Sequence, residues 1–499
     1  MRYANVRFDL PAGLVVFLVA LPLCLGIAQA SGVPPFVGLL TGIIGGLLVT
    51  LLSPSPFSVS GPAAGLVTIV TSAIVSLGDF PTFLFALLLS GIFQFVFGML
   101  RSGQLAALIP SAVIHGMLAG IGILLILQQL PLAMGYPVGH GLSEDITLQQ
   151  LQADITPAAI IVSIGALLLI KFWGSSSVKQ RLRLSALPGP LIAVLWGCLF
   201  VWLAQYLSPE LANLARIELP ALTSVEALQS QLSFPNWQAW RNPTVYVIAM
   251  TIAIVGSLET LLSQEALKKI APMTPEPSAD KELRAQGAGN MLSGLIGGLP
   301  ITSVIVRSSA NVQAGAQSRL SILIHGLLLL FSAVLFTDLL NNIPLASLAA
   351  ILIYTGFKLA HPKIILSLWR QGLQQFIPFT ATLFGILFLG MLEGIALGLV
   401  VQLAGSLYQS NRNALRLTHY DNHYLIKCQQ NLTFLNKMRL KHLLGQIKPD
   451  SEVIIDCEGI DYLDDDIREM LNEYRYSAAK KGIKISLHLS EDILVRNIN

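Results

Sequence analysis

The sequence predicts an all-α polytopic membrane domain of fourteen segments in two sets of seven, followed by a small cytoplasmic α/β domain. Three observations carry this. Of the 499 residues, 54% are apolar and only 12% are charged, against roughly 25% charge in soluble domains. Charge is also unevenly placed: residues 1–412 hold 19 basic and 15 acidic side chains, whereas 413–499 hold 12 and 13. Apolar runs of about 20 residues, long enough to cross a bilayer, recur through the first part and then stop. An ordinary soluble enzyme, a disordered chain and a nucleic-acid binder are excluded, and a net charge of +3 calls for no polyanionic partner.

The first segment spans 10–31. Arg2 and Arg7 precede it and Ala28-Gln29-Ala30 ends it, which imitates a cleaved leader. The many apolar segments that follow favour a membrane span instead. Six more lie near 34–52, 58–76, 81–100, 105–131, 157–173 and 187–207. After the polar stretch 208–243 come 244–264, 284–299, 301–316, 319–338, 344–360, 374–390 and 392–410. With the N-terminus inside, the inner ends carry 16 of the 19 basic residues, among them Arg2, Arg101, Lys179, Arg181, Arg183 and Arg319. The outer loops hold Arg216, Arg241 and most of the acids, including Glu144, Asp145, Asp154 and Glu210. By the positive-inside rule both chain ends are cytoplasmic.

The third member of each set is broken at its start. One reads Ser58-Val59-Ser60-Gly61-Pro62-Ala63-Ala64-Gly65, the other Gly297-Gly298-Leu299-Pro300-Ile301-Thr302-Ser303. Interrupted segments at corresponding positions point to an inverted repeat with a site at the midplane. Irregular backbone at that depth must be buried in protein or line a cavity. A half-helix beginning there aims free N–H groups and a positive dipole end at an anion.

Arg307 lies one and a half turns into the tenth segment, and a guanidinium at that depth is costly unless it faces a polar cavity. Its planar donors suit oxyanions. The alternative is an ion pair with Glu259, in the inner half of the eighth segment. Glu259 is itself a candidate cation-coupling group, as a proton site or, with Ser263 one turn on, as a Na⁺ site. His115 and His325 read as packed, hydrogen-bonded side chains. Gly120, Gly122, Gly294, Gly297 and Gly298 read as sites of close helix packing.

Cys24, Cys198, Cys428 and Cys457 have no metal-knuckle or disulfide spacing and read as structural thiols. In the tail, strands are expected over 423–427, 452–456 and 483–487, and helices after Lys437 through Leu443-Leu444 and over 464–481. Asp464-Asp465-Asp466 reads as a helix cap with first-turn acids. No metalloprotease motif, phosphate-binding glycine loop or catalytic triad is present. The chain is therefore expected not to be an enzyme and to need no cofactor.

These residues resemble the sulfate permease (SulP) family of anion transporters over nearly the whole length. The matches are Val19-Ala20-Leu21-Pro22, Val59-Ser60-Gly61-Pro62-Ala63, Gly256-Ser257-Leu258-Glu259, and Pro300 through Ser308. The tail is similar to a STAS domain, with Asp456 through Asp466 matching its central strand–loop–helix. The resemblance implies a seven-plus-seven inverted repeat with a core (segments 1–4 and 8–11) that moves like an elevator against a gate (5–7 and 12–14), in a homodimer. It implies an anion site at Ser60, Gly61, Ala63 and Ala64 facing Thr302, Ser303, Arg307 and Ser308, and cation coupling at Glu259 and Ser263. There are departures. Leu23 and Ile27 replace residues common in animal relatives. Ile305 stands about where some bicarbonate-transporting relatives use a Thr for Na⁺, which tilts the coupling ion towards a proton. Asp465 stands where anti-sigma-factor antagonists are phosphorylated on Ser. The expected function is cation-coupled transport of an inorganic oxyanion, bicarbonate first and sulfate second, in a bacterial-type inner membrane. An uncoupled channel or exchanger, and an anion sensor signalling through the tail, are the competing readings.

Overall fold

The computed structural model describes residues 6–103, 110–136, 156–173, 188–207, 211, 214–221, 224–272 and 276–489. Arg2, Lys179, Arg181, Arg183, Glu144, Asp145, Asp154, Glu210 and the start of the fifth segment lie outside them. The chain divides into two compact units, one of residues 1–371 with 379–398 and one of 372–378 with 399–499.

The first unit is helical. Its first-half helices are α1 (Val6–Ala30), α2 (Pro35–Ile44), α3 (Val67–Leu77), α4 (Phe80–Met99), α5 (Ser111–Met134), α6 (Pro157–Trp173) and α7 (Gly189–Leu207). The second half has α8 (Pro243–Ile270), α9 (Ala279–Ile296), α10 (Ile305–Gln313), α11 (Leu320–Leu335), α12 (Leu345–Leu359), α13 (Leu373–Phe388) and α14 (Met391–Ala414), the last two running on into the second unit. Each expected segment thus has a helix. Short helices Val225–Gln231 and Pro362–Arg370 lie between them. Among the described residues, eight helices are long and apolar enough to cross a membrane, and Ala64–Leu77 (which includes α3), α6, α11 and α13 are shorter apolar helices.

Local chemistry explains the helix starts. Asp79 caps α4 by accepting from Thr82 N at 2.6 Å, and Pro81 stands in the first turn. Asn242 caps α8 by accepting from Thr244 N at 3.0 Å, with Pro243 first in the helix. Packing then relies on missing side chains. A Cβ at Gly91 of α4 would stand 2.5 Å from Met291 N of α9, and one at Gly294 of α9 would stand 2.6 Å from Leu88 N of α4. The two backbones touch, as small residues allow in membrane helices. Gly122 of α5 meets Gly356 of α12 in the same way.

The two broken segments differ from ordinary helices. Residues Ser60–Pro62 form strand β1, followed by a 3₁₀ turn Ala64–Leu66 that leads into α3. Residues Ile301–Ser303 form strand β2, and α10 follows. Arg307 therefore stands in the first turn of its helix rather than one and a half turns in, because residues 301–303 are extended. Gly297, at φ +96°, ends α9 and turns the chain towards β2.

The second unit carries a four-stranded sheet, β3 (Leu415–Tyr420), β4 (His423–Cys428), β5 (Glu452–Cys457) and β6 (Lys484–Leu489), in that spatial order. The β3–β4 hairpin is antiparallel and the other pairings are parallel. Helices α15 (Lys437–Gly445) and α16 (Asp465–Ala479) bury Leu440, Leu444, Ile467 and Leu471 with Ile426, Val453 and Ile455 in one core. Asp464 caps α16 by accepting from Asp466 N at 3.0 Å. Strand β3 was not expected from the sequence.

Candidate functional site

The two broken segments meet. Strands β1 and β2 pair antiparallel with Ser60 opposite Ser303, Gly61 opposite Thr302 and Pro62 opposite Ile301. Side chains directly opposite share a face, so Ser60 and Ser303 lie on one face and Gly61 and Thr302 on the other. The crossing is held on every side. Val304 N donates to Val59 O at 3.0 Å, and Val59 N donates to Ser308 Oγ at 3.0 Å. Ser58 Oγ and Ser303 Oγ share a hydrogen bond of 2.5 Å, and Ser303 N donates to Thr260 Oγ1 of α8 at 3.2 Å.

Both helices leave this crossing without a side-chain cap. The residues at the cap positions, Ala63 before the 3₁₀ turn and Val304 before α10, carry no side-chain oxygen that could accept. Caps are usually Ser, Thr, Asp or Asn because four N–H groups at a helix start lack intrahelical partners. Leu66 N and Val67 N are taken by Ala63 O and Ala64 O, but no side chain caps the earlier N–H groups there or those that open α10, at the positive ends of two dipoles. Ala64, Val304 and Ile305 are half-buried at this point, whereas Ser60, Thr302 and Ser303 are buried.

Arg307 is 0% exposed. Its Nη2 donates to Pro62 O at 3.1 Å, while among the described residues Nε and Nη1 have no hydrogen-bond partner. Gly61 makes room for it: a Cβ there would fall onto Nη1. Among the described residues no carboxylate lies within ion-pair distance of it, so the ion pair with Glu259 is not formed. A buried charge without a partner costs several kcal/mol, and two spare N–H donors add to that cost.

Glu259 is half-buried. Its carboxylate lies against Gly65, and among the described residues its buried Oε2 has no hydrogen-bond partner. Ser263 is buried one turn further along α8, and among the described residues no hydrogen bond joins it to Glu259. Of the other expected site residues, Thr302 keeps an unpartnered Oγ1. Ser308 is committed to the scaffold, donating to Val304 O at 2.8 Å while accepting from Val59.

Cavities lie along both half-helices. One of about 690 Å³ runs beside Thr68, Ser72 and Ser76 of α3, facing Gln128 of α5, Thr251 of α8 and Glu393 of α14. Another of about 260 Å³ runs beside Val306, Ser309 and Gln313 of α10, facing Leu23 of α1 and Tyr354 and Lys358 of α12.

Comparison with known proteins decides the family. The sequence pattern of the sulfate permease family matches residues 6–382. The chain belongs to the sulfate permease family. It is 28% identical over 401 residues to YvdB of Bacillus subtilis, a protein named for sulfate transport, covering 79% of this chain and 72% of that one. It is 26% identical over 366 residues to the bicarbonate transporter BicA of Picosynechococcus, covering 71% of this chain and 62% of BicA, just under two thirds of it. In fold it is similar to the murine solute carrier Slc26a9, an anion transporter solved in an inward-facing state, with a TM-score of 0.74 at 15% identity over 98% of this chain and 86% of the other. The relatives of this sulfate permease member are transporters, and the chain is a multi-pass member of an anion-transporter family.

Sequence reasoning missed the polar stripe that supports the crossing. Glu282, Gln286 and Asn290 recur every four residues along α9, all buried. Asn290 brackets Ile301, accepting from its N at 2.6 Å and donating to its O at 3.1 Å, and also donates to Gln94 of α4 at 2.6 Å. The i, i+4, i+8 spacing of polar residues in an apolar helix was the available signal. His325 corrects an expectation: it is buried, but neither ring nitrogen has a hydrogen-bond partner. Among the described residues it is packed without being satisfied.

Proposed function

We propose that this family member is a secondary active transporter of an inorganic oxyanion, bicarbonate first and sulfate second, coupled to a proton or Na⁺ and working by an elevator motion of core against gate. The observation that carries the reading is the buried guanidinium of Arg307, without an ion pair among the described residues, beside two helix starts that lack a side-chain cap. An oxyanion placed there would supply the missing charge and take up the spare donors together. Ser60, Gly61, Ala63, Ala64, Thr302, Ser303, Arg307 and Ser308 form or support this site. The cavities along α3 and α10 bring open space beside each half-helix. The names of YvdB and BicA favour sulfate and bicarbonate as the anions to test.

Glu259, against the start of the α3 half-helix and free of Arg307, is the coupling group in this reading, with Ser263 as a supporting oxygen for Na⁺. The working form is a homodimer in a bacterial-type inner membrane with both termini cytoplasmic and the tail as a scaffold. The test is equilibrium binding of labelled bicarbonate and sulfate to purified protein. Saturable binding that Arg307→Gln weakens by about tenfold or more, the weight of a lost charge-assisted hydrogen bond, supports the site. Undiminished binding in that variant removes Arg307 from it.

A further inference from the structure

The cavity along α3 carries one sign of charge. Among the described residues, Glu393 is the single charged side chain in its lining, and no basic group lines it. The cavity along α10 is the reverse, with Lys358 as its charged group. Glu393 stands exposed in the first turn of α14, where an acid by itself favours a helix start. Its carboxylate lies against the turn between α13 and α14: a Cβ at Gly390 would stand 2.5 Å from Glu393 Oε2. Low-dielectric walls that carry one sign of charge concentrate the opposite ion.

The uncharged lining has the same preference. Thr68, Ser72 and Ser76 recur every four residues on one face of α3, a file of hydroxyls about 12 Å long. Gln128 and Thr251 face it. Two of the hydroxyls have committed their hydrogens to their own helices: Ser76 Oγ donates to Ser72 O at 2.7 Å, and Thr251 Oγ1 donates to Val247 O at 2.9 Å. These oxygens have only lone pairs left to offer. Small hard cations take oxygen acceptors, whereas an anion meets acceptors and a carboxylate that repel it. The file also leads somewhere. Thr68 lies one turn beyond Gly65, against which the Glu259 carboxylate rests. Ser76, in the last turn of α3, stands at the other end.

We propose that the α3 cavity is a cation vestibule, in which Glu393 and the hydroxyl file of α3 gather a small monovalent cation, Na⁺ or hydronium, and lead it to Glu259. This rests on the reading of Glu259 as the coupling group. With both termini cytoplasmic, the turn between α13 and α14 and the far end of α3 face the outside, so the vestibule admits the cation from there.

The test reads the sign of the cavity directly. Ser72 is exposed in it, and Ser72→Cys places a thiol there, in the full-length protein with the partly exposed native thiol removed by Cys198→Ser. In lipid nanodiscs, where both faces are open, this thiol is reacted with a trimethylammonium and with a sulfonate methanethiosulfonate. Each rate is divided by that for free 2-mercaptoethanol. The cationic reagent is expected to be favoured by about tenfold, and Glu393→Gln to bring the ratio close to one. Should Ser72→Cys fail to fold, Ser76→Cys, exposed in the same cavity, runs the same comparison. No preference, a preference for the anionic reagent, a preference that survives Glu393→Gln, or no reaction with either reagent in folded protein overturns the proposal. The route is read in proteoliposomes. Glu393→Gln is expected to raise the external Na⁺ or proton concentration that half-saturates bicarbonate uptake by about threefold to tenfold, with no rise in KM for bicarbonate. The cation whose requirement moves is the one the vestibule serves, and an unchanged requirement for both overturns the route. Wild-type uptake indifferent to both cations overturns the coupling reading of Glu259 instead, and the labelling ratio then decides the sign of the cavity alone.

Discussion

Glu259 and Gly65 are in contact: a Cβ at Gly65 would stand 3.0 Å from Glu259 Oε1 and 3.1 Å from Oε2. The acidic side chain of α8 thus lies against the turn that starts the α3 half-helix. The φ of Gly65 is not in the left-handed region, so its missing side chain makes space rather than conformational freedom. Gly65→Val is expected to displace the carboxylate and lower gradient-driven uptake by about tenfold or more, on the scale of a misplaced polar group at a site. The checks are uptake into proteoliposomes and thermal unfolding of the same preparation. A valine variant with normal coupled uptake would show that Glu259 does not act from this position.

Removing the charge of Glu259 separates coupling from transport. Glu259→Gln keeps the volume and one acceptor oxygen but has no titratable proton and binds Na⁺ poorly. Anion exchange across the membrane is expected to survive, while the response to an imposed proton or Na⁺ gradient is lost. Gradient-driven uptake that persists in the glutamine variant assigns coupling elsewhere.

Gly61 gives a second steric test. A methyl group there would fall onto Arg307 Nη1, so Gly61→Ala is expected to push the guanidinium away from Pro62 O and weaken anion affinity by about tenfold. Isothermal titration with bicarbonate and with sulfate measures this. Wild-type affinity in a well-folded Gly61→Ala protein would mean that the guanidinium position is irrelevant to binding.

The tail makes an independent prediction. Cys428 and Cys457 lie on adjacent parallel strands with their sulfurs 2.8 Å apart, both buried. The hydrogen bond to Cys457 and then burial hold the Cys428 thiol well above its ordinary pKa. The reactive thiolate is therefore scarce at neutral and mildly alkaline pH. Maleimide labelling at pH 8 followed by peptide mass spectrometry should leave both tail cysteines unmodified until denaturant is added. Rapid labelling of Cys428 in the folded protein would contradict this packing.

Much of the architecture was legible because long apolar runs and their punctuation are local properties. Each of the fourteen expected segments coincides with a helix, and the breaks at Ser58–Gly65 and Gly297–Ser303 mark where the chain is extended. The β1–β2 pairing was not legible. Strands of three residues carry no periodicity, and their partners are about 240 positions apart, so only tertiary hydrogen bonds define them. Arg307 and Glu259 stood out as rare membrane charges, yet their separation depends on the glycines beside each of them. Glu282 was overlooked because α9 begins at Ala279, five residues before the expected segment. Strand β3 was missed because Leu415–Tyr420 follows α14 without a break. In the tail, β4, β5 and α16 were readable from alternation, a cap and the closing Gly482.

The central claim is coupled oxyanion transport, and uptake of labelled bicarbonate by the wild-type protein in proteoliposomes tests it most directly. The assay uses an alkaline buffer that limits carbon dioxide leak, imposed proton or Na⁺ gradients, and unlabelled sulfate as competitor. The account predicts saturable uptake that rises with one of the two cation gradients. Saturable exchange indifferent to both gradients, or no uptake of bicarbonate or labelled sulfate above empty vesicles by a folded preparation, would contradict it.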